Sequence, residues 1–289
     1  MIRKRLWIVF LLMSFAVSAQ IKGVVRDSIS GKPIPFVSIW SENQNIGTTS
    51  EEDGTFTIHT NEKSKKLLFS ALGFEKKSVK INDAKNVKLV AIDYQLDEVV
   101  ISNSKHTRQI EIGKTDNAIC QAFDNGPRID VKFFPYSPSY KRTKYIKQLT
   151  LYTDSRIENT TIRIHFYDVD ENGFPNKELL KKDKIVTIRK GTINQLIDLS
   201  DLNLTMPKKG LFVGFEKLII EKNKLEKIVT NSNTNETKIQ TTYYPFVLYN
   251  YVERDFLFTL SGGKWNKQTM NVNAEEKIYE PAINLILTN

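Results

Sequence analysis

Short runs of alternating apolar and polar residues, cut roughly every eight to twelve positions by Gly, Pro, Asn or Asp, set the terms on which this chain can fold. In "TFTIH", Phe56 and Ile58 alternate with Thr55, Thr57 and His59. In "TIRIHFYD", Ile162, Ile164 and Phe166 alternate with Arg163, His165 and Tyr167. Successive side chains of a strand point to opposite faces, so a period of two describes a strand with one face buried. The expectation is an all-β protein.

In the first part of the chain, strands are expected at Ile21 to Val25, Phe36 to Trp40, Thr55 to His59, Leu67 to Ala71, Phe74 to Ile81 and Val87 to Val90. The separators agree: "DSISGKPIP" carries Gly31, Pro33 and Pro35, and the Asp53-Gly54 pair of "EEDGT" suits a tight hairpin. His59 is then an outward neighbour on a strand. Short strands in this number without a helical period favour a β-sandwich over residues 20–102.

These residues also carry a resemblance. "IKGVVRDSISGKPIPFVSIWSENQNIGTTSEEDGTFTI" followed by "LLFSALGFEKKSVKI" resembles the carboxypeptidase-regulatory-like domain, a transthyretin-like, Ig-like sandwich of exported bacterial proteins. The matching features are Gly23, the "GKPIP" turn, the "GTTSEEDGTF" hairpin and the "FSALGF" strand pair. The resemblance implies a scaffold module without catalytic residues of its own. Nothing in the residues supplies a zinc peptidase beside it, because His59, His106 and His165 have no partner histidine at ligand spacing.

The first residues speak to compartment. Arg3, Lys4 and Arg5 precede an apolar run from Leu6 to Val17 that ends in Val17-Ser18-Ala19, the form of a secretory signal peptide cut between Ala19 and Gln20. That run is too short to span a hydrocarbon core, which takes roughly 20 helical residues. We therefore expect an exported chain, periplasmic or associated with the outer membrane or cell surface, without a transmembrane helix after cleavage. The single cysteine, Cys120, excludes an intramolecular disulfide and reads as a small buried residue, so stability must come from buried apolar area. Loss of the three leader cations takes the net charge from +9 to +6, spread over many lysines. That is no footprint for nucleic acid.

After "DEVVIS" the polar stretch "NSKHTRQ" reads as a linker over residues 103–109, and residues 110–289 again read as β. Strands are expected at Ile129 to Phe134, Tyr145 to Tyr152, Thr161 to Asp168, Lys184 to Ile188, Gln195 to Leu199, Leu211 to Leu218, Phe246 to Tyr249, Phe256 to Leu260 and Ile283 to Leu287. So many strands point to a jelly-roll-like sandwich. The rival is a small outer-membrane barrel, disfavoured by uneven strand lengths, by "LFVGFEK", which mixes both faces, and by the final Thr288-Asn289, where such barrels carry an aromatic residue. The polar run from Glu221 to Thr242 reads as a long solvated loop.

Few constellations suggest chemistry. "DVDENG" places Asp168, Asp170 and Asn172 at alternate positions before Gly173, the first half of a calcium loop. Leu179 then stands where a bidentate Glu is needed and Glu178 falls one place early, so an ordinary turn is the simpler reading. The longer "IRIHFYDVDENGFPNKELL" resembles a strand-turn-strand element of extracellular bacterial sandwich domains, which implies a fold and no ligand. Late aromatics, among them Tyr249, Tyr251 and Trp265, can pack at the edge of a core or stack on sugar rings, with Trp265 in "SGGKWN" the best candidate for ligand contact. No nucleophile elbow or defined acid–base pair is present to specify a hydrolase.

The segment "YQLDEVVIS" resembles the TonB-box region that follows this domain type in TonB-dependent glycan transporters. Too few residues follow Ser102 for a plug and a large barrel, so the alternation of "LDEVVIS" is expected instead to supply a strand closing the first sandwich. The sequence therefore leads to an exported, non-enzymatic binding or assembly module without cofactor or metal, holding a glycan or an envelope protein. The alternatives are a hydrolase with its site in the C-terminal sandwich, and the small barrel.

Overall fold

The computed structural model describes residues 19–61, 63–92, 108–113, 115, 121–122, 126–232, 234–252, 256–269 and 278–289. The expectations for the leader up to residue 18, for "YQLDEVVIS", for His106 and for Cys120 lie outside the described residues.

The described residues of the first domain form seven strands: β1 (Ala19–Asp27), β2 (Ser38–Ser41), β3 (Gly47–Thr49), β4 (Thr55–Thr60), β5 (Lys66–Ser70), β6 (Lys77–Lys80) and β7 (Asn86–Leu89). One sheet has the order β4-β1-β7, with β1 antiparallel to β4 and parallel to β7, and the other has the order β3-β2-β5-β6. Between them Val25, Phe56, Ile58 and Leu89 meet Val37, Ile39, Leu67 and Phe69 in one apolar core. The alternation of "TFTIHT" is obeyed residue by residue, and His59 is exposed as expected.

Two details differ. The Asp53-Gly54 turn is no tight hairpin, because β3 and β4 belong to different sheets and the turn carries the chain across the sandwich. Gly54, at φ +75°, approaches the Val25 carbonyl so closely that a Cβ would stand 2.7 Å from it. The strand expected from Phe74 to Ile81 shrinks to Lys77–Lys80, and Phe74 makes only an isolated bridge to Ala91.

The second domain contains β8 (Gln109–Ile112), β9 (Gln121–Ala122), β10 (Ile129–Phe134), β11 (Tyr145–Ser155), β12 (Thr160–Val169), β13 (Pro175–Glu178), β14 (Lys184–Ile188) and β15 (Gly191–Asp198). It continues through β16 (Leu211–Lys217), β17 (Lys224–Thr230), β18 (Thr237–Tyr243), β19 (Phe246–Val252), β20 (Phe256–Ser261), β21 (Lys264–Thr269), β22 (Ile278–Pro281) and β23 (Ile283–Thr288). Its front sheet runs β13-β12-β16-β10-β20-β21 with β14 also on β12. Its back sheet runs β22-β19-β11-β23-β8, with β15 on β11 and β9 on β19. Ile162, Ile164 and Phe166 of the front sheet interdigitate with Leu149, Leu151 and Leu285 of the back sheet. Two sheets facing across a filled core make a jelly-roll-like sandwich, not the closed barrel that was its rival. Gln109, expected in the linker, already pairs with Thr288.

The expected solvated loop at Glu221 to Thr242 is instead mostly a hairpin. Strands β17 and β18 pair from Lys224↔Tyr243 to Thr230↔Thr237 and form a two-stranded sheet of their own. Both faces meet solvent along most of its length, so no apolar alternation marked it. The β-branched Ile228, Val229, Ile239 and neighbouring threonines supply the propensity.

The largest departure concerns β12 and β16. Every residue of "LFVGFEK" is buried, and Arg163 and Tyr167 are buried as well as the core-facing Ile162, Ile164 and Phe166. The front sheet has no free face at this point, because the first domain covers it.

Candidate functional site

Where the first domain lies on the front sheet, the outward side chains of β12 meet a polar cluster drawn from both domains. Arg163 and Glu216 face each other across the β12–β16 pair, their register fixed by Arg163↔Glu216. Arg163 Nη1 donates to Glu216 Oε2 at 2.8 Å with side chains only 3% and 5% exposed. From the first domain, Ser38 Oγ donates to Glu216 Oε1 at 2.5 Å, and Arg163 Nη1 donates to Ser38 Oγ at 3.2 Å. Arg163 Nη2 also donates to the Phe36 carbonyl. An isolated buried guanidinium or carboxylate would be costly; this one is balanced by charge and by hydrogen bonds from the opposite domain.

His165, two residues along the same strand face, sits between two carboxylates. Its Nδ1 lies 2.8 Å from Glu178 Oε2 and its Nε2 3.3 Å from Glu216 Oε2. Glu178 is also structural: its Oε1 accepts from the Phe166 N–H at 2.8 Å, where the β12–β13 ladder loses register. The glutamate that falls one place early for calcium thus finishes a strand pair and holds a histidine. Burial opposes a charge on His165, but the hydrogen bonds to Glu178 and Glu216 outweigh it and raise the pKa to about 9. Burial would raise Glu216, yet the Arg163 guanidinium beside it, with His165, holds it down to about 2. At neutral pH both groups are charged. Burial pushes the Tyr167 phenol well up, and Glu178 and Glu216 push it further.

Beside this cluster opens a cleft of about 300 Å³ between the two domains. Trp40, Leu68 and Ser70 line it from the first domain, and His165, Tyr167 and Trp265 from the second. Tyr167 stacks on His165 at 5.5 Å and 11°, and Trp265 meets Tyr167 edge-on at 5.2 Å. Asp183, 28% exposed, reaches Arg163 Nε at 3.2 Å but off the N–H direction, so this buried N–H has no hydrogen-bond partner. Burial raises the Asp183 carboxyl, with Arg163 pulling the other way. The β20–β21 turn seats against the first domain. Gly262 and Gly263 take φ of 55° and 81°, and a Cβ on Gly263 would stand 2.4 Å from Leu68. Lys264 Nζ donates to Asn43 Oδ1 at 2.8 Å.

The candidates taken from the sequence scatter. Trp265 lines the cleft, directly after this turn. Tyr249 is a core residue, 2% exposed, whose hydroxyl donates to Asp130 on β10, so it offers no surface to a sugar. Tyr251 is on the back sheet against Tyr279, away from Trp265. Asp168, Asp170 and Asn172 make a turn: Asp170 Oδ1 accepts from the Asn172 and Phe174 N–H groups at 2.8 Å, and Asp168 Oδ1 accepts from the Lys177 N–H at 2.7 Å. Among the described residues no group of three or more His, Cys, Asp or Glu side chains is arranged to hold a metal. Ala19 and Gln20, flanking the expected cleavage point, open β1 opposite Thr60 and His59.

A comparison with family models places the first domain. Residues 21–101 match the CarboxypepD_reg-like domain. The match covers the first sandwich and none of the second, and it agrees with the resemblance carried by Gly23, "GKPIP" and "FSALGF". The CarboxypepD_reg-like domain therefore supplies Ser38, Phe36 and Trp40 to the junction, while every ionisable member of the central network comes from the jelly-roll-like domain. Among curated proteins nothing matches the chain. Solved structures include that of the infectious bursal disease virus Gx strain, at 7% identity and TM-score 0.25, covering 93% of this chain and 78% of that one. The infectious bursal disease virus VP2 subviral particle matches at 10% identity and TM-score 0.25, covering 93% and 63%. At such scores the superpositions carry no argument about this protein.

Sequence reasoning missed Ser38, Arg163, Glu178, Asp183 and Glu216. The available sign was "LFVGFEK" itself: a strand without a polar face, ending in Glu-Lys, is covered on both sides and must find partners for its charge.

Proposed function

We propose that the chain is an exported, non-enzymatic binding or assembly module of a Gram-negative cell envelope, recognising a glycan or an envelope protein. In this reading the CarboxypepD_reg-like domain is a fixed platform on which the jelly-roll-like domain is held. One observation carries it: the acid–base groups at the junction spend their valences on each other. Both oxygens of Glu216 accept hydrogen bonds, from Ser38 and from Arg163, and both nitrogens of His165 face carboxylates. A general base must reach the proton it abstracts, and a nucleophile needs a free lone pair. These groups hold domains together instead.

One observation favours the hydrolase alternative, the partly exposed Asp183 with its raised pKa beside a cleft. The test is a turnover screen of the form beginning at Gln20 against chromogenic glycosides, esters and peptides. We expect no rate above buffer. A rate that vanishes in Asp183→Asn would replace the module with a hydrolase. No helix among the described residues is long and apolar enough to cross a membrane. Fractionation of producing cells should place a product starting at Gln20 outside the cytoplasm, and retention of the whole chain there would defeat the export half of the reading.

A further inference from the structure

We propose that the junction cleft binds a neutral saccharide, with Trp265 as its stacking platform and Asp183 as its polar contact; this rests on the module reading above. Three features of the cleft select that chemistry. The first is the partly exposed indole of Trp265, braced edge-on by Tyr167 and by the seated β20–β21 turn, which presents a preordered apolar surface. The C–H face of a pyranose is the apolar half of an otherwise polar molecule and suits such a ring.

The second is an accessible acceptor held in place by a buried cation. Arg163 is 3% exposed with its Nε closed to solvent, so it holds Asp183 in place as an ion-pair partner and is not itself reached from the cleft. Asp183, within 3.2 Å of that nitrogen and partly open, accepts only. A sugar hydroxyl can donate to Asp183, which an anion without a proton to give cannot do.

The third is charge and size. Arg163 and His165 are offset by Glu178, Glu216 and Asp183, with Lys76 also on the lining. No strong field is left to select an ion. About 300 Å³ lies at the lower end of small-molecule pockets, roughly 300–1,000 Å³. Docking of a folded partner needs a far larger surface, about 1,000 Å² or more in total.

The sequence supplies its own probe. Of the three tryptophans, Trp7 falls in the expected leader, and the other two, Trp40 and Trp265, both line the cleft. Intrinsic fluorescence of the form beginning at Gln20 is titrated with cellohexaose, xylohexaose, mannohexaose and maltohexaose, with heparin as a polyanionic comparison. We expect saturable change with at least one neutral oligosaccharide, weakened tenfold or more in Trp265→Ala and in Asp183→Asn, and unchanged in Tyr251→Ala on the other sheet. Thermal unfolding of each variant separates lost binding from lost folding, and Asp183→Asn keeps the size of the side chain if Trp265→Ala fails to fold. No response to any neutral sugar at millimolar concentration, equal binding by Asp183→Asn, or a response to heparin alone would overturn the proposal. Such a failure leaves the module reading to its own turnover test.

Discussion

Raising the pH through the alkaline range should loosen this protein by a predictable amount, and His165 is the reason. In the folded chain the imidazolium is gripped by Glu178 at 2.8 Å and Glu216 at 3.3 Å, with Arg163 and Asp183 close by, and its pKa stands at about 9 against an ordinary 6.5. The group is raised on folding. Its contribution is therefore complete below about pH 6.5 and is lost as the pH climbs through 9. A tenfold change in proton affinity corresponds to about 1.4 kcal/mol, so the whole window is worth roughly 3 kcal/mol. The side chain is 12% exposed, so screening by solvent removes little of that. Urea unfolding of the form starting at Gln20, at pH 6 and again at pH 9.5, measures the loss. His165→Gln serves as reference, since other groups also titrate at alkaline pH. The wild type should lose roughly 3 kcal/mol more than the variant across this interval. Equal losses in the two proteins, or a wild type that gains stability, would show that His165 is neutral in the fold and that the clamp does not exist as described.

Further outcomes follow from the same geometry. Glu216→Gln leaves Arg163 buried with half its compensation and should cost about 3–5 kcal/mol, read by calorimetry; a loss under about 1 kcal/mol would mean the network is not what joins the domains. Gly173→Ala and Gly263→Ala both place a side chain at φ near +80°, but Gly173 has open space around it whereas Gly263 faces Leu68 at 2.4 Å. The first should cost about 1 kcal/mol and the second measurably more, with faster proteolysis at the domain junction; equal costs would contradict the seating of that turn. Millimolar calcium should leave the melting temperature unchanged, because Asp168 and Asp170 already accept backbone N–H groups; a shift of several degrees would reinstate the loop as a metal site. Ile228→Thr and Ile239→Thr, at 78% and 67% exposure on a lone hairpin, should each change stability by less than about 0.5 kcal/mol.

What the residues disclosed in advance depended on whether the information was local. Alternation in "TFTIHT" and "TIRIHFYD" placed β4 and β12, because the inner face of a sandwich strand is chosen by its own side chains. The β17–β18 hairpin stayed hidden because neither face is buried, so propensity alone carried it through a polar composition that also suits a loop. The turn at Asp53-Gly54 had the residues of a hairpin and became a crossing between sheets, since turn chemistry fixes the local φ and leaves open which strand the chain pairs with next.

The β12 side of the junction was hidden for a stronger reason. Arg163, His165 and Tyr167 alternate as a solvated face should, and nothing near them in sequence says otherwise. Their cover comes from Ser38 and Phe36, more than a hundred positions away and in another domain. A polar strand face means solvent only when no second domain lies on it. Here the polar residues persist because their partners are polar: a backbone carbonyl and a serine hydroxyl from the first domain, and two carboxylates from the neighbouring strands of their own sheet. Apolar packing could have joined the sandwiches, and often with more stability than a buried ion pair supplies. A charged junction adds direction, since Arg163 can satisfy Glu216, Ser38 and the Phe36 carbonyl together in one relative placement of the domains. The same placement brings Trp40 to the cleft that Trp265 lines, so the fixed orientation of the CarboxypepD_reg-like domain and the existence of the cleft are one consequence of the same few hydrogen bonds.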